Sequence, residues 1–143
     1  MIFSAQQLFS DDQAVTATAI STNVVDMGVA GTPYGAAAAL NADKGKGNYV
    51  PILVQVTEAF NTLTSLVITI ETGSTASLGT VLSSQTIALA GLTVGKQLAV
   101  QVLPQGATER YLGARYTVVG TNPTLGKVTA GISMGNQTNV TGA

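Results

Sequence analysis

The sequence predicts an all-β protein: a single-domain, jelly-roll-like antiparallel β-sandwich of about eight strands. Three observations lead to this prediction. Apolar and polar residues alternate in several short runs, no segment has the period of about 3.6 residues that marks an amphipathic helix, and clusters of Gly, Asn, Pro and Ser separate the runs. A length of 143 residues suits one domain, which we place at residues 1–143.

Four runs carry the clearest alternation, and their apolar positions should share one face of a strand. These inward positions are Val50, Ile52, Val54 and Val56; Leu66, Ile68 and Ile70; Leu98, Val100 and Val102; and Val128, Ala130, Ile132 and Met134. The residues between them, such as Thr69, Glu71 and Lys127, are expected on the outer faces. Three further runs, AVTATAI, NVVDM and TIALA, bring the number of strands to about eight.

Two segments do not have the pattern of core strands. Residues 1–13 show no alternation and are expected to form an extended N-terminal arm, in which Phe3 and Phe9 are candidates for docking on another surface. The alternative for Phe9 is that it closes the end of its own sandwich. Residues 28–49 are rich in Gly and Ala and predict a long loop, either functional or flexible, in which Tyr34 is a candidate contact, although AAAALNA could form one short helix.

Charge is scarce, and this narrows the possible partners. The chain has six Lys and Arg residues, seven Asp and Glu residues and a net charge of −1, so neither nucleic acid nor an anionic membrane is an expected partner. No run is long enough to span a membrane, and the N-terminal residues lack the basic segment of a secretory signal, so we expect a protein that acts without export. A surface of Ala, Thr, Val and Gly loses its water easily and favours a subunit of an assembly.

The sequence does not predict an enzyme. His and Cys are both absent, which removes imidazole catalysis, thiol nucleophiles, disulfides and structural zinc. Asp11 and Asp12 are adjacent, so on a strand they would point to opposite faces, and we expect them to cap a turn rather than bind calcium. No cofactor, metal or catalytic residue is expected.

The charges that are present gather in LPQGATERYLGARYTVVG, where Glu109, Arg110 and Arg115 lie close together. Alternation places Leu112 and Val118 towards the core, with Arg110 at the rim. It places Tyr111 and Arg115 together on the outer face. Tyr and Arg side chains are typical of contact surfaces, so Arg110, Tyr111 and Arg115 are candidates for contact with a partner protein or a second copy, and Asp11 is a further candidate. The alternative is an internal ion pair, either Glu109–Arg110 or Arg115 with another carboxylate.

Three segments resemble the head cement, or decoration, proteins of tailed bacteriophages, of the jelly-roll type found in podophages. They are FSDDQAVTATAISTNVVDMG, PILVQVTEAF and LPQGATERYLGARYTVVGT followed by GKVTAGI, and together they extend from residue 9 to 132. The resemblance implies a small self-associating β-sandwich, a homodimer or homotrimer, on the outer surface of the expanded capsid. It also implies that the major capsid protein is the partner, and that assembly takes place in the bacterial cytoplasm.

Other functions remain open at this stage. A carbohydrate-binding jelly roll would need aromatic platforms, and the chain has no Trp and only seven Phe and Tyr residues. A tail-tube or head-completion protein is also β-rich and would form larger rings. The expected function is that of a capsid cement protein that bridges major capsid protein subunits and stabilises the shell against DNA pressure.

Overall fold

The computed structural model describes residues 3–47, 49–98 and 102–134. Within these ranges the chain forms nine strands and one short 3-10 helix, Leu89–Gly91. The strands are β1 (Phe3–Ala14), β2 (Ala19–Ile20), β3 (Val25–Asp26), β4 (Ile52–Glu58), β5 (Leu63–Gly73), β6 (Thr80–Ala88), β7 (Gln97–Leu98), β8 (Tyr111–Gly120) and β9 (Lys127–Ser133).

The strands form two antiparallel sheets. One has the order β1-β9-β4-β7, and the other has the order β2-β8-β5-β6 with β3 also paired to β8. Because β2 and β3 both lie along β8, they act as one interrupted strand, and the sandwich then has eight strands in jelly-roll order. The predicted all-β, jelly-roll-like sandwich is confirmed.

The core lies between the sheets and is filled by alternate residues. On β5 the buried set is Leu66, Ile68 and Ile70, and on β8 it is Leu112, Ala114 and Tyr116, as the alternation predicts. The TIALA run is not a separate strand, because it forms the end of β6 and the 3-10 turn. Several positions differ from the prediction: Leu53, Thr69, Glu71 and Ser133 were expected on outer faces but are buried, and Met134 is exposed beyond the end of β9. Val100 lies outside the described residues.

The N-terminal segment is a strand and not an arm. Residues 3–14 form β1, which pairs with β9 at the edge of its sheet, and Phe9 is completely buried in the core of its own sandwich. Three register shifts interrupt the pairing, and Asp12 adopts a left-handed φ of 47°. These bulges break the period of two, which is why the sequence pattern concealed the strand.

The segment between β3 and β4, residues 27–51, is the long loop, and none of its described residues is helical. Its C-terminal part is anchored to the chain before β8. The carboxylate of Asp43 accepts hydrogen bonds from the main-chain N–H groups of Gly45 (3.0 Å) and Gly106 (2.9 Å), and the N–H of Lys44 donates to the carbonyl of Ala107 (3.1 Å). The Gly106 bond holds the pKa of Asp43 below its ordinary value. Gly45 lies so close to the carbonyl of Pro104 that a Cβ would overlap it.

A buried hydroxyl connects the two sheets. The Tyr116 hydroxyl is 2.8 Å from the Ser10 hydroxyl, and Ser10 donates to the side-chain oxygen of Gln13 (2.6 Å). Gln13 also accepts from the N–H of Thr22 and donates to the carbonyl of Ile20. Burial raises the pKa of Tyr116, so its hydroxyl stays protonated and serves as a donor. This network fixes β1 of one sheet against β8 of the other.

We therefore expect Tyr116→Phe to lower the free energy of unfolding by about 1–2 kcal/mol, because it leaves the buried Ser10 hydroxyl without one partner. Chemical denaturation of the native and variant proteins measures the difference. Tyr49→Phe, at an exposed tyrosine of the long loop, is the control and should be neutral. A neutral Tyr116→Phe would mean that the network does not contribute to stability.

Candidate functional site

Arg110 and Asp26 form an ion pair where β3 ends and β8 begins. Arg110 Nε is 2.7 Å from Asp26 Oδ1, and Arg110 Nη2 is 2.6 Å from Oδ2, which is the two-point geometry that Arg and carboxylates favour. Asp26 also accepts from the N–H of Gly28 (2.9 Å), and the N–H of Met27 donates to the Arg110 carbonyl (2.9 Å). The start of the long loop is therefore tied to the start of β8.

The guanidinium of Arg110 also lies over the ring of Tyr111, with Cζ 5.0 Å from the ring centre. This distance is typical of a cation–π interaction, which holds the ring of the half-buried Tyr111 beneath the ion pair. Arg110 pairs with Asp26 and not with Glu109, so the first of the two alternatives, an internal Glu109–Arg110 pair, is not the one that forms.

Arg115 is bound to a carboxylate of the neighbouring strand. Its Nε lies 2.9 and 3.1 Å from the two carboxylate oxygens of Glu71, and its Nη2 donates to the Ser77 carbonyl (3.2 Å). The Thr69 hydroxyl donates to Glu71 as well (2.8 Å). The side chain of Arg115 is 32% exposed and that of Glu71 only 5%, so the alternative of an internal Arg115–carboxylate pair is the one that the structure contains.

Glu71 is buried on the outer face because the turn at residues 74–79 folds back over β5 and β8. Leu78 in this turn packs against Gly73 and Gly113, where a Cβ on either glycine would be too close to it. The sequence pattern placed Glu71 in solvent, since a period of two describes a bare sheet face and not one covered by a turn.

The exposed apolar surface is concentrated in the long loop. Among the described residues nine large apolar side chains are exposed, and four of them belong to this loop: Val29, Tyr34, Leu40 and Tyr49. We call these four residues the loop surface. Within the loop, the N–H of Leu40 donates a hydrogen bond to the carbonyl of Gly31 (3.1 Å), which closes the segment that carries Tyr34.

The outer face of the other sheet carries a separate polar cluster. Asp12 accepts from the Thr57 hydroxyl (2.7 Å) and from Lys127 Nζ (2.9 Å), and Glu58 lies 3.9 Å from the same ammonium. The Thr57 hydroxyl and Lys127 hold the pKa of Asp12 below its ordinary value. Asp11 is exposed beside this cluster.

The candidate residues from the sequence are therefore divided between several places. Arg110 and Tyr111 lie together at the base of the long loop that carries Tyr34, Arg115 lies further along β8, and Asp11 and the partly buried Phe3 lie on β1 of the other sheet. Phe9 is in the core and presents no surface. Sequence reasoning missed Asp26, because its partner Arg110 is 84 positions away. It also missed Tyr49, although this tyrosine lies in the same non-periodic segment that made Tyr34 a candidate.

The described residues contain no group of three or more His, Cys, Asp or Glu side chains that could hold a metal ion. In that part of the chain, no helix has the length and apolar character that crossing a membrane requires.

Comparison with known proteins places the chain in a family. The model of the Bbp16 family matches residues 9–132, which include all the strands from β2 to β8. The chain belongs to the Bbp16 family. A search of curated proteins found no match. The matched span contains the core, the long loop and both Arg ion pairs of this Bbp16-family chain.

The Arg110–Asp26 pair predicts a specific pH dependence. The hydrogen bonds from Arg110, and then that from Gly28, lower the pKa of Asp26 from 3.8 to about 2. Because the folded-state pKa lies below the ordinary value, the stabilising effect is complete above about pH 4 and is lost as the pH falls towards 2. In an NMR titration of the carboxyl carbon, Arg110→Gln should move the Asp26 midpoint up towards 3.8. An unchanged midpoint would contradict the pairing.

Loss of the Arg115–Glu71 pair is expected to lower the free energy of unfolding. Arg115→Leu leaves a buried carboxylate without its cation and should lower the free energy of unfolding by about 3 kcal/mol. Adding Glu71→Leu removes that carboxylate, so the double variant should regain much of the lost stability. If the single variant unfolds like the native protein in chemical denaturation, the pair is not structural and Arg115 is free for a contact.

Proposed function

We propose that this protein is a capsid cement protein, which binds the outer surface of an expanded phage head and bridges major capsid protein subunits. The observation that carries the proposal is the loop surface: four exposed apolar side chains, two of them tyrosines, held on a rigid sandwich. Tyrosine is enriched in protein interfaces because it buries a large area and still offers a hydroxyl.

The attachment of the long loop supports this role. Its first residues are bonded to Arg110 and its last part to Gly106 and Ala107, so its ends cannot move far from the sandwich. An anchored loop loses less conformational entropy on binding than a free one, and more of its contact energy then appears as affinity. The resemblance of residues 9–132 to head cement proteins supports the same partner.

The proposed mechanism is mass action. A protein that binds the expanded shell and not the compact prohead stabilises the expanded state by the binding free energy of every attached copy. No covalent bond or cofactor is required. Many copies, each contributing a few kcal/mol, would together oppose the pressure of the packaged DNA.

Co-sedimentation of the purified protein with heads of its source phage tests the proposal. We expect saturable binding to expanded heads, at a fixed ratio to the major capsid protein, and none to proheads. Absence of binding to both forms would refute the proposal. Affinity for glycans instead would favour a carbohydrate-binding jelly roll.

Variants of the loop surface test where the contact lies. Tyr34→Ser and Tyr49→Ser should each weaken binding to expanded heads about tenfold or more, which corresponds to about 1.4 kcal/mol, because each removes a large aromatic contact. Val94→Ser and Leu125→Ser are matched controls, since both positions are exposed and apolar but lie outside the loop. If the controls weaken binding and the tyrosine variants do not, another face of the sandwich docks.

A further inference from the structure

The two sheets have four edges in the part of the chain that the structure describes, and three of them are poor templates for pairing. β7 has only two residues, and β2 and β3 are one strand broken into two short pieces. β1 is longer, but three register shifts interrupt it, and the exposed Asp11 and Asp12 place negative charge on it. Short strands, bulges and charges are the devices by which proteins prevent sheet edges from pairing with other chains.

The fourth edge, β6, lacks most of these devices. It has nine residues, TVLSSQTIA, none of which is charged or a proline. It pairs with β5 on one side, and no other segment of the described chain pairs with its outer side. Its one register shift lies near its start, opposite Ile70 and Glu71, so residues 83–88 form a regular edge. Half of the main-chain N–H and C=O groups along that edge point away from β5 and can bond to an added strand.

The side chains of β6 also permit pairing. Ser84, Thr86 and Ala88 are exposed on the outer face of the sheet and are small and uncharged, and Val81 near the start of the strand is 53% exposed. Side chains of this kind can lie beside another strand without bringing like charges together. The edge therefore fits a second neutral strand.

A second copy of this chain is the occupant that these observations favour. Because an antiparallel pair is symmetrical, an exposed edge can pair with the same edge of another copy across a twofold axis. The neutral sequence allows this, since no residue that faces its own copy carries a charge. With one open edge per chain among the described residues, association also ends at two copies, whereas two open edges would build a fibre.

We propose that β6 is a self-association edge, where two copies pair antiparallel about a twofold axis and join their sheets into one. Gln85 and Thr86, in the middle of the regular part of β6, lie nearest to that axis. The new bonds are main-chain hydrogen bonds, as in other cases of strand addition. This pairing goes beyond the proposed function, because it requires no capsid.

The pairing also determines where the long loops lie. β6 begins at the end of the sandwich where β8 starts, since Thr80 is opposite Thr72 on β5 and the next residue, Gly73, is opposite Tyr111. The long loop is anchored at that same end. A twofold axis reverses the direction of the strand, so the two loop surfaces of the dimer lie at opposite ends of the joined sheet. In a cement protein, each would contact a different capsid subunit.

Sedimentation velocity of the free protein over a range of concentrations tests the pairing. We expect a dimer of twice the 14.4 kDa of one chain. A protein that stays monomeric at every concentration would contradict the proposal. Trimers or larger rings would contradict it as well, because a twofold pairing of one edge cannot produce them.

Thr86→Lys and Thr86→Glu test whether β6 forms the contact. Each substitution places like charges within about 8 Å of each other across the axis, so each variant alone should dimerise about tenfold or more weakly than the native protein. The two variants mixed together should dimerise again, since opposite charges then face each other. Hydrogen exchange at the N–H groups of β6 that point away from β5 should be slower in the native dimer than in Thr86→Lys.

Thr22→Lys is the matched control. Thr22 is an exposed threonine at the opposite edge of the same sheet, between β2 and β3, so this variant should remain a dimer. Circular dichroism of the Thr86 variants should match that of the native protein, because the Thr86 side chain is exposed. If Thr86→Lys dimerises as well as the native protein does, the contact lies elsewhere and the proposal is overturned.

Failure of this pairing and failure of the proposed function are distinguishable, because the dimer is measured without capsids. If the native protein is a β6 dimer that binds no heads, only the cement function fails. If it binds heads as a monomer, only the pairing fails. If it is monomeric in solution and Thr86→Lys loses binding to heads, β6 receives a strand of the capsid protein instead, which overturns self-association.

Discussion

The antiparallel pairing of β5 with β8 is the contact on which the rest of the molecule depends. It runs from Leu63 opposite Gly120 to Gly73 opposite Tyr111, and it lies in the middle of its sheet. Its inner face supplies Tyr116, the largest of the fully buried side chains, together with Leu66, Ile70 and Leu112, and its outer face holds the Arg115–Glu71 pair. The first residue of β8 also stands next to Arg110, where the long loop begins. One strand pair thereby connects the core, the buried charges and the loop.

Several of the few charged side chains form ion pairs between distant parts of the chain. Arg110, Arg115 and Lys127 each bind a carboxylate far away in sequence: Asp26, Glu71 and Asp12. Each pair joins a strand to another strand or to a bulge, so the few charged side chains connect parts of the chain that are far apart in sequence.

The sequence predicted the fold better than the site. The inward residues of β5 and β8 follow from the period of two, because a bare strand presents alternate side chains to the core. The same rule failed at β1, where bulges near Asp12 break the period, and at Glu71, where a turn covers the outer face. The partners of Arg110 and Arg115 are 84 and 44 positions away, and no local pattern encodes such distances. The exposure of Tyr34 was predictable, because it lies in a loop outside every segment with the alternation of a core strand.

The two anchors of the long loop determine which of its residues can change without altering the core. The N–H of Met27 is bonded to Arg110, and Asp43 and Lys44 are bonded to Gly106 and Ala107, so the stretch between these anchors can change without disturbing a core residue. Substitutions within residues 29–42 would therefore change three of the four residues of the loop surface, Val29, Tyr34 and Leu40, and leave the packing of the jelly roll beneath them unaltered.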